Sequence, residues 1–128
     1  MYLADAHALA WFFTNDARLG ANASKVFDLS EKGEGLIFIP TIVLAELYHI
    51  SRKKRVALGF EELLQKVEMG SNFVVTDLDF AVIKALPQTY PLTEVHDQII
   101  VATAMTYEAK VLTKDGPITT SGLVETIW

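Results

Sequence analysis

The hydrophobic residues of this chain follow two alternating patterns. Compact apolar runs at residues 1–4, 36–39, 73–76 and 110–113 have the length and density of buried strands. Between them, apolar residues recur every three or four positions, which predicts helices over residues 7–13, 21–32, 41–55, 59–69, 79–86 and 94–109. Residues 14–20, 87–93 and 114–117 are polar or contain Gly and Pro, which predicts loops and a turn, and residues 123–128 read as a final edge strand.

Strands that alternate with helices predict parallel strand pairing through right-handed crossovers. The expected fold is therefore a three-layer α/β domain, in which helices flank a central, mostly parallel sheet. A chain of 128 residues has the size of one domain, so we expect residues 1–128 to form a single unit. No apolar run approaches the roughly 18 residues of a membrane span, and no secretory signal is recognisable, so the expected compartment is the cytoplasm, with no membrane partner.

Composition narrows the possible functions. Hydrophobic residues make up 51% of the chain, a surplus for so small a domain, and a homodimer interface is the expected place for it. The absence of Cys excludes disulfides, thiolate metal sites and Cys nucleophiles. The net charge of −5 disfavours a broad nucleic-acid surface, because such surfaces neutralise phosphates with Lys and Arg. A nucleic-acid substrate would require a local basic patch or a bound cation.

Four acids occupy unusual positions. Asp5 and Asp115 each follow a predicted strand, whereas Glu46 lies on an apolar helix row and Asp97 lies in the first turn of the most apolar helix. Each position also has a purely structural interpretation. Asp5, Asp97 and Asp115 could cap a helix or turn, and Glu46 could lie at the margin of an apolar stripe with its carboxylate in water.

Taken together, the four acids favour a metal site. Residues that follow parallel strands, or that begin the next helix, lie at the carboxyl edge of the sheet, where ligands bind in this fold class. Carboxylates gathered there without Lys or Arg repel one another, and Mg²⁺ or Mn²⁺ with oxygen ligands would offset that repulsion. Such a site activates water and stabilises the charge that develops during phosphodiester cleavage.

The segments that contain these acids, residues 3–11, 39–46, 95–104 and 112–118, resemble in order and spacing the four signatures of PIN domains. The resemblance covers the whole chain and is greatest to VapC-like ribonuclease toxins of type II toxin–antitoxin modules. It implies a Mg²⁺- or Mn²⁺-dependent endoribonuclease whose acidic site is Asp5, Glu46, Asp97 and Asp115. It also implies an RNA substrate, a homodimer and a cognate antitoxin.

Two positions depart from the family pattern and one matches it. The family commonly has Thr or Ser after its first Asp, where this chain has Ala6. Many relatives have an Asp three residues before the third acid, where this chain has Glu94, which we interpret as a supporting group. Thr113 matches the hydroxyl that the family places at the end of the fourth strand, and we predict a supporting role for it as well.

The one basic run is Arg52, Lys53, Lys54 and Arg55. It has the composition of a solvated helix end, where cations complement the helix dipole, and it is also a candidate contact for RNA phosphates or for an acidic antitoxin segment. The three histidines, at positions 7, 49 and 96, are expected to pack or to form hydrogen bonds rather than to bind metal.

Several alternatives remain open. A PIN domain could act as a nuclease outside a toxin module, or could bind RNA or protein without cleaving anything. A phospho-signalling receiver domain is more distant, because no Asp occurs between Asp28 and Asp77 to serve as its acceptor. The Asp77-Leu78-Asp79 sequence after the third strand resembles a phosphatase motif, but helix capping explains these residues better.

Overall fold

The computed structural model describes residues 1–128 and contains one sheet of five parallel strands. The strands are β1 (Tyr2–Ala4), β2 (Ile37–Pro40), β3 (Phe73–Thr76), β4 (Lys110–Leu112) and β5 (Thr126–Ile127). Their order across the sheet is β3-β2-β1-β4-β5, and every neighbouring pair is parallel. The strand nearest the start of the chain therefore lies at the centre of the sheet, with β3 and β5 at its edges.

Helices connect the strands and pack around the sheet. They are α1 (Ala6–Phe13), α2 (Ala21–Glu31), α3 (Thr41–Arg52), α4 (Phe60–Met69), α5 (Phe80–Ala85), α6 (Val95–Tyr107) and α7 (Gly116–Ser121), with a 3-10 turn at Leu86–Thr89. This arrangement confirms the predicted α/β class. No helix combines the length and the apolar character that crossing a membrane requires.

Burial follows the sequence pattern closely in the centre of the molecule. The strand residues of β2 are all buried, and the six consecutive residues 99–104 of α6 are buried as well, as expected for a helix that is apolar on nearly every side. The edge strand β3 differs, because Val74 and Val75 are 39% and 47% exposed. The core therefore lies on both faces of the central strands and thins toward the β3 edge.

The prediction of a turn at residues 114–117 was wrong, because a helix, α7, begins within that segment. The side chain of Asp115 accepts a hydrogen bond from the backbone N–H of Ile118 at 3.0 Å, and Pro117 occupies the first turn. A capping Asp followed by a Pro in the first turn is a helix start, and the same Asp-Gly-Pro sequence is also typical of a turn.

Other boundaries also differ from the prediction. The predicted strand at residues 123–128 is reduced to the two residues of β5, and the predicted loop at residues 87–93 begins within the 3-10 turn. Helix α3 ends at Arg52 rather than at Arg55, because Lys54 has a left-handed backbone (φ 52°) that stops the helix. This early stop changes where the basic side chains lie.

Candidate active site

Asp5 and Thr113 are brought together by strand register. Ala4 of β1 pairs with Leu112 of β4, so the residues that follow them emerge side by side at the carboxyl edge. The Thr113 hydroxyl donates a hydrogen bond to Oδ2 of Asp5, and the Ala8 backbone N–H donates to Oδ1 at 2.8 Å. Asp5 is only 8% exposed, and its carboxylate is held in one orientation from both sides.

Asp115 is positioned by the same hydroxyl and by its own helix. Its backbone N–H donates to Oγ1 of Thr113 at 3.0 Å, while its carboxylate caps α7. One oxygen atom of Thr113 thus contacts the first and the fourth acid, which lie far apart in the sequence. The capping role expected for Asp5 and Asp115 coexists with their position at the sheet edge, because capping occupies only Oδ1 in each of them.

Asp97 and Glu94 lie together at the start of α6. Oε2 of Glu94 accepts from the Asp97 backbone N–H at 2.9 Å, and Oε1 accepts from Nδ1 of His96 at 2.8 Å. Glu94 is therefore the N-cap of α6, and its two oxygens are occupied by its neighbours. The half-buried Asp97 carboxylate has no salt-bridge partner, since the ion pairs of the chain are Arg18–Asp16, His96–Glu94 and Lys110–Glu125.

Glu46 is the least satisfied acid of the four. Its side chain projects from α3 between half-buried Ile42 and buried Ile50, and its Oε1 atom is buried without any hydrogen-bond partner. A carboxylate oxygen in that condition is costly, because burial removes its hydration and nothing replaces it. The interpretation of Glu46 as a solvated residue at the margin of the stripe does not fit this atom.

The pKa values show that these acids share one electrostatic environment. Burial raises the pKa of Glu46 to about 7, with further increases from Asp5, Glu94 and Asp97, whereas His96 opposes the shift. Burial and repulsion from Asp115 raise the pKa of Asp97 to about 6. The pKa of Asp5 is raised by burial, against the hydrogen bond from Thr113, and Asp115 adds to the increase. The structure therefore brings the four predicted acids together.

The donor set of this cluster suits a hard divalent cation. Its free groups are carboxylate oxygens, one of them buried and unpaired at Glu46, and no Lys or Arg neutralises them. No three carboxylates or imidazoles surround a single point closely enough to form a preassembled metal site. The acids are neighbours that a cation could draw closer, and Mg²⁺ or Mn²⁺ fits their chemistry.

The family model described as the PIN domain matches residues 2–118. The chain belongs to the PIN-domain family. No curated protein matches it by sequence.

Solved structures share the fold of this PIN domain at low sequence identity. VapBC2 of Rickettsia felis, bound to a promoter DNA fragment, is 16% identical with a TM-score of 0.69, covering 98% of this chain and 96% of that chain. VapC20 of Mycobacterium tuberculosis, described as a sarcin–ricin loop cleaving toxin, is 13% identical with a TM-score of 0.70 and 98% coverage of both chains. A toxin–antitoxin complex from Klebsiella pneumoniae is 14% identical with a TM-score of 0.66, covering 100% of this chain and 97% of that chain.

Position 6 carries no hydroxyl, and Asp5 keeps the contact from Thr113 that the family pattern also contains. Ala6 is only 1% exposed, and Asp5 receives its hydroxyl contact from Thr113, across the sheet. Asp5 therefore has one hydroxyl donor, Thr113, and none at position 6.

Sequence reasoning did not place the histidines near the acids. His7, His49 and His96 line one pocket together with Glu46. A signal was available, because each histidine lies within three residues of a candidate acid. His96 forms the hydrogen bond expected of it, whereas His7 and His49 pack near Trp11 and Tyr48 at ring-centroid distances of 5.3 and 5.5 Å.

Proposed function

We propose that this PIN domain is a Mg²⁺- or Mn²⁺-dependent endoribonuclease that cleaves RNA phosphodiester bonds as the toxin of a type II toxin–antitoxin pair. The observation that carries the proposal is the buried, unpartnered Oε1 atom of Glu46 beside other acids with raised pKa values. A structural carboxylate would be paired or solvated, whereas a metal ligand needs a free oxygen.

Each residue has a distinct part in this proposal. Asp5, Glu46, Asp97 and Asp115 would hold the cation, and Thr113 would fix the carboxylate of Asp5 and the backbone of Asp115 relative to each other. Glu94 would hold the first turn of α6, which carries Asp97. A bound divalent cation supplies an acidified water molecule and compensates the charge that develops on the phosphate during cleavage.

Solved structures that share this fold support the toxin role. A toxin–antitoxin complex and a toxin that cleaves the sarcin–ricin loop share the architecture over almost their whole length. We infer an antitoxin partner and a cytoplasmic location from this likeness. The second candidate function is a PIN nuclease that has no antitoxin. A small DNA-binding protein encoded next to the gene would favour the toxin function over this alternative.

We also propose that the chain forms a homodimer. Large apolar side chains are exposed along β3 and α5, where Leu78, Phe80 and Ile83 are 43%, 74% and 42% exposed. This face adjoins the open edge of the sheet, which a second copy would cover. Light scattering should give a mass of two chains, and Phe80→Glu should give one, whereas an unchanged mass would place the interface elsewhere.

The central experiment measures RNA cleavage by the purified protein with Mn²⁺, Mg²⁺ or chelator. We expect cleavage only with a divalent cation, and a higher melting temperature with millimolar Mn²⁺ than with chelator, because a ligand that binds only the folded state stabilises it. A stabilised protein that leaves RNA intact would indicate a binding scaffold. A melting temperature that changes with neither Mn²⁺ nor Mg²⁺ would contradict the metal site.

A further inference from the structure

Two separate pockets adjoin the acid cluster, and they differ in charge. One, of about 230 Å³, is lined by Glu46 together with His7, His49, Lys53, Arg55 and His96. We call it the basic pocket. The other, of about 330 Å³, is lined by Glu94 and Asp97 together with Thr93, Pro117, Thr120 and Ser121, and no Lys, Arg or His lines it. We call it the hydroxyl pocket.

The backbone at the end of α3 determines which basic side chains line the basic pocket. Lys54 takes the left-handed backbone, and the chain then folds back so that the Arg55 N–H donates to the Ile50 carbonyl at 3.2 Å. Lys53 and Arg55 line the pocket as a result. Arg52 instead lies over the ring of Tyr48 at 5.7 Å, and Lys54 is not among the lining residues. The basic run is thus divided into two pocket residues and two residues outside it.

The two pocket cations have no anionic partner within the protein. Neither Lys53 nor Arg55 forms a salt bridge, and Glu46, which lines the same pocket, keeps an unpaired oxygen. They therefore do not serve to neutralise Glu46. The Lys53 and Arg55 side chains are exposed, so they are available to an external anion. A polyanionic substrate needs such a contact, because the neighbouring carboxylates repel it.

We propose that the basic pocket binds one RNA phosphate adjacent to the scissile one through Lys53 and Arg55. The hydroxyl pocket, which no Lys, Arg or His lines, makes no phosphate contact on the other flank. Substrate recognition is then asymmetric, with a charged contact on only one side of the cleaved bond. This inference rests on the proposed nuclease function and names how that same site holds its substrate.

The first test compares two double variants with the same change in charge. Binding of a fluorescein-labelled, mixed-sequence, single-stranded RNA of about 12 nucleotides is measured by anisotropy in chelator, where metal-dependent cleavage cannot occur. Lys53→Gln with Arg55→Gln should weaken binding by about tenfold and reduce the salt dependence by between one and two ions. Arg52→Gln with Lys54→Gln, the matched control, should weaken it far less. Equal losses in the two variants would mean that only net charge matters, and would overturn the proposal.

The second test locates the charged contact. In the RNA that the Mn²⁺-loaded protein cleaves, an uncharged methylphosphonate replaces the phosphate immediately 5′ or immediately 3′ of the cleaved bond. We expect only one of the two replacements to raise KM, and we expect that difference to disappear in the Lys53→Gln, Arg55→Gln variant. Equal effects on the two sides would overturn the asymmetry.

Two further outcomes separate this inference from the proposed function. If the wild type does not cleave RNA with Mn²⁺, the nuclease proposal fails, while the binding comparison in chelator still decides whether the basic pocket holds RNA. If the pocket variant binds RNA like wild type but loses binding of a ten-residue polyglutamate peptide, the pocket recognises an acidic protein segment, and the RNA proposal is overturned.

Discussion

The two ends of the sheet present very different cavities. At the amino end, before β3 and beside the ends of α2 and α4, lies a cavity of about 440 Å³, larger than either pocket at the acid cluster. Its charged lining residues, Glu31 and Lys66, are exposed and of opposite sign. At the carboxyl end the volumes are smaller, but buried and half-buried carboxylates lie near one another, and burial raises the pKa values of Asp5, Glu46 and Asp97.

The larger cavity is therefore not the better candidate for a functional site. Charges that stay in contact with water at a cavity wall cost little free energy and need no ligand. Like charges that are withdrawn from water and left unpaired do cost free energy, and they persist where a ligand compensates them. Variants at the carboxyl end should therefore affect chemistry, and matched variants at the amino end should affect stability alone.

The largest expected effect is on cleavage by acid variants. Asp5→Asn and Asp97→Asn each remove an anionic oxygen while nearly keeping the shape, so metal-dependent RNA cleavage should fall by more than about a hundredfold. Glu31→Gln makes the same kind of change at the amino end and should retain the wild-type rate. Rates of RNA cleavage in Mn²⁺, with circular dichroism to check folding, measure both. Wild-type cleavage by the Asp5 or Asp97 variant would exclude that residue from the site.

Glu46→Leu should separate activity from stability. Replacing an unpaired, partly desolvated carboxylate by an apolar side chain should leave the metal-free protein at least as stable as wild type, or more stable by about 1–2 kcal/mol. Cleavage and most of the stabilisation by Mn²⁺ should be lost. Urea unfolding in chelator and in Mn²⁺ gives both free energies. A Leu variant that cuts RNA and responds to Mn²⁺ like wild type would remove Glu46 from the site.

Thr113→Val should weaken metal binding without removing a ligand. The variant loses the hydroxyl that contacts Asp5 and the Asp115 backbone, and we expect about a 10- to 100-fold loss of Mn²⁺ affinity. Thr113→Ser keeps the hydroxyl and should bind nearly normally. The Mn²⁺ concentration at half-maximal thermal stabilisation is the measurement. Lower stability with unchanged Mn²⁺ dependence would reduce Thr113 to a structural role.

The metal-free protein should lose stability as pH rises. The folded pKa of Glu46 is about 7 against an ordinary 4.5, and that of Asp97 is about 6 against 3.8, so the folded state holds protons that the unfolded state has released. Stability from these groups is complete below about pH 4 and is lost as pH rises through about 6 to 7. Urea unfolding in chelator across this range should show the decline, and Glu46→Gln should flatten it. A Gln variant with the wild-type slope would assign the decline to other groups.

The smallest effect on chemistry is expected at the amino end. A Cβ at Gly70 would overlap the ring of Phe73, which lines the larger cavity, so Gly70→Ala should destabilise the fold by about 1–3 kcal/mol. Cleavage per folded molecule should not change. A large loss of cleavage by the folded variant would mean that the two ends of the sheet are coupled.

Much of the fold could be predicted from the sequence, because its signals are local. The apolar runs around Leu3 and Ile37 and the helical spacing from Val95 onward predict elements that the structure contains. The segment after Asp115 is predicted as a turn because capping Asp residues precede both turns and helices, and the sequence does not show that Ile118, which is 1% exposed, packs into the core.

The proximity of the four acids could be predicted from the sequence, but their surroundings could not. The sequence indicated that Glu46 lies on an apolar row, and the structure adds that one of its oxygens has no partner. The sequence did not divide the basic run, since the division depends on the left-handed turn at Lys54 and on where Arg55 folds back. That turn is local, but the residue that adopts it is Lys54 rather than Gly, so the sequence carries no clear signal for it.

The central position of β1 has a consequence for synthesis. Asp5 is synthesised before its partner Thr113, which lies 108 residues further along and directly follows β4. Domains fold from the amino end as they emerge, and pairings between distant segments form late. Until residues 113–115 have been synthesised, the growing chain therefore lacks both the hydroxyl that orients Asp5 and the carboxylate of Asp115, and the acidic site cannot assemble.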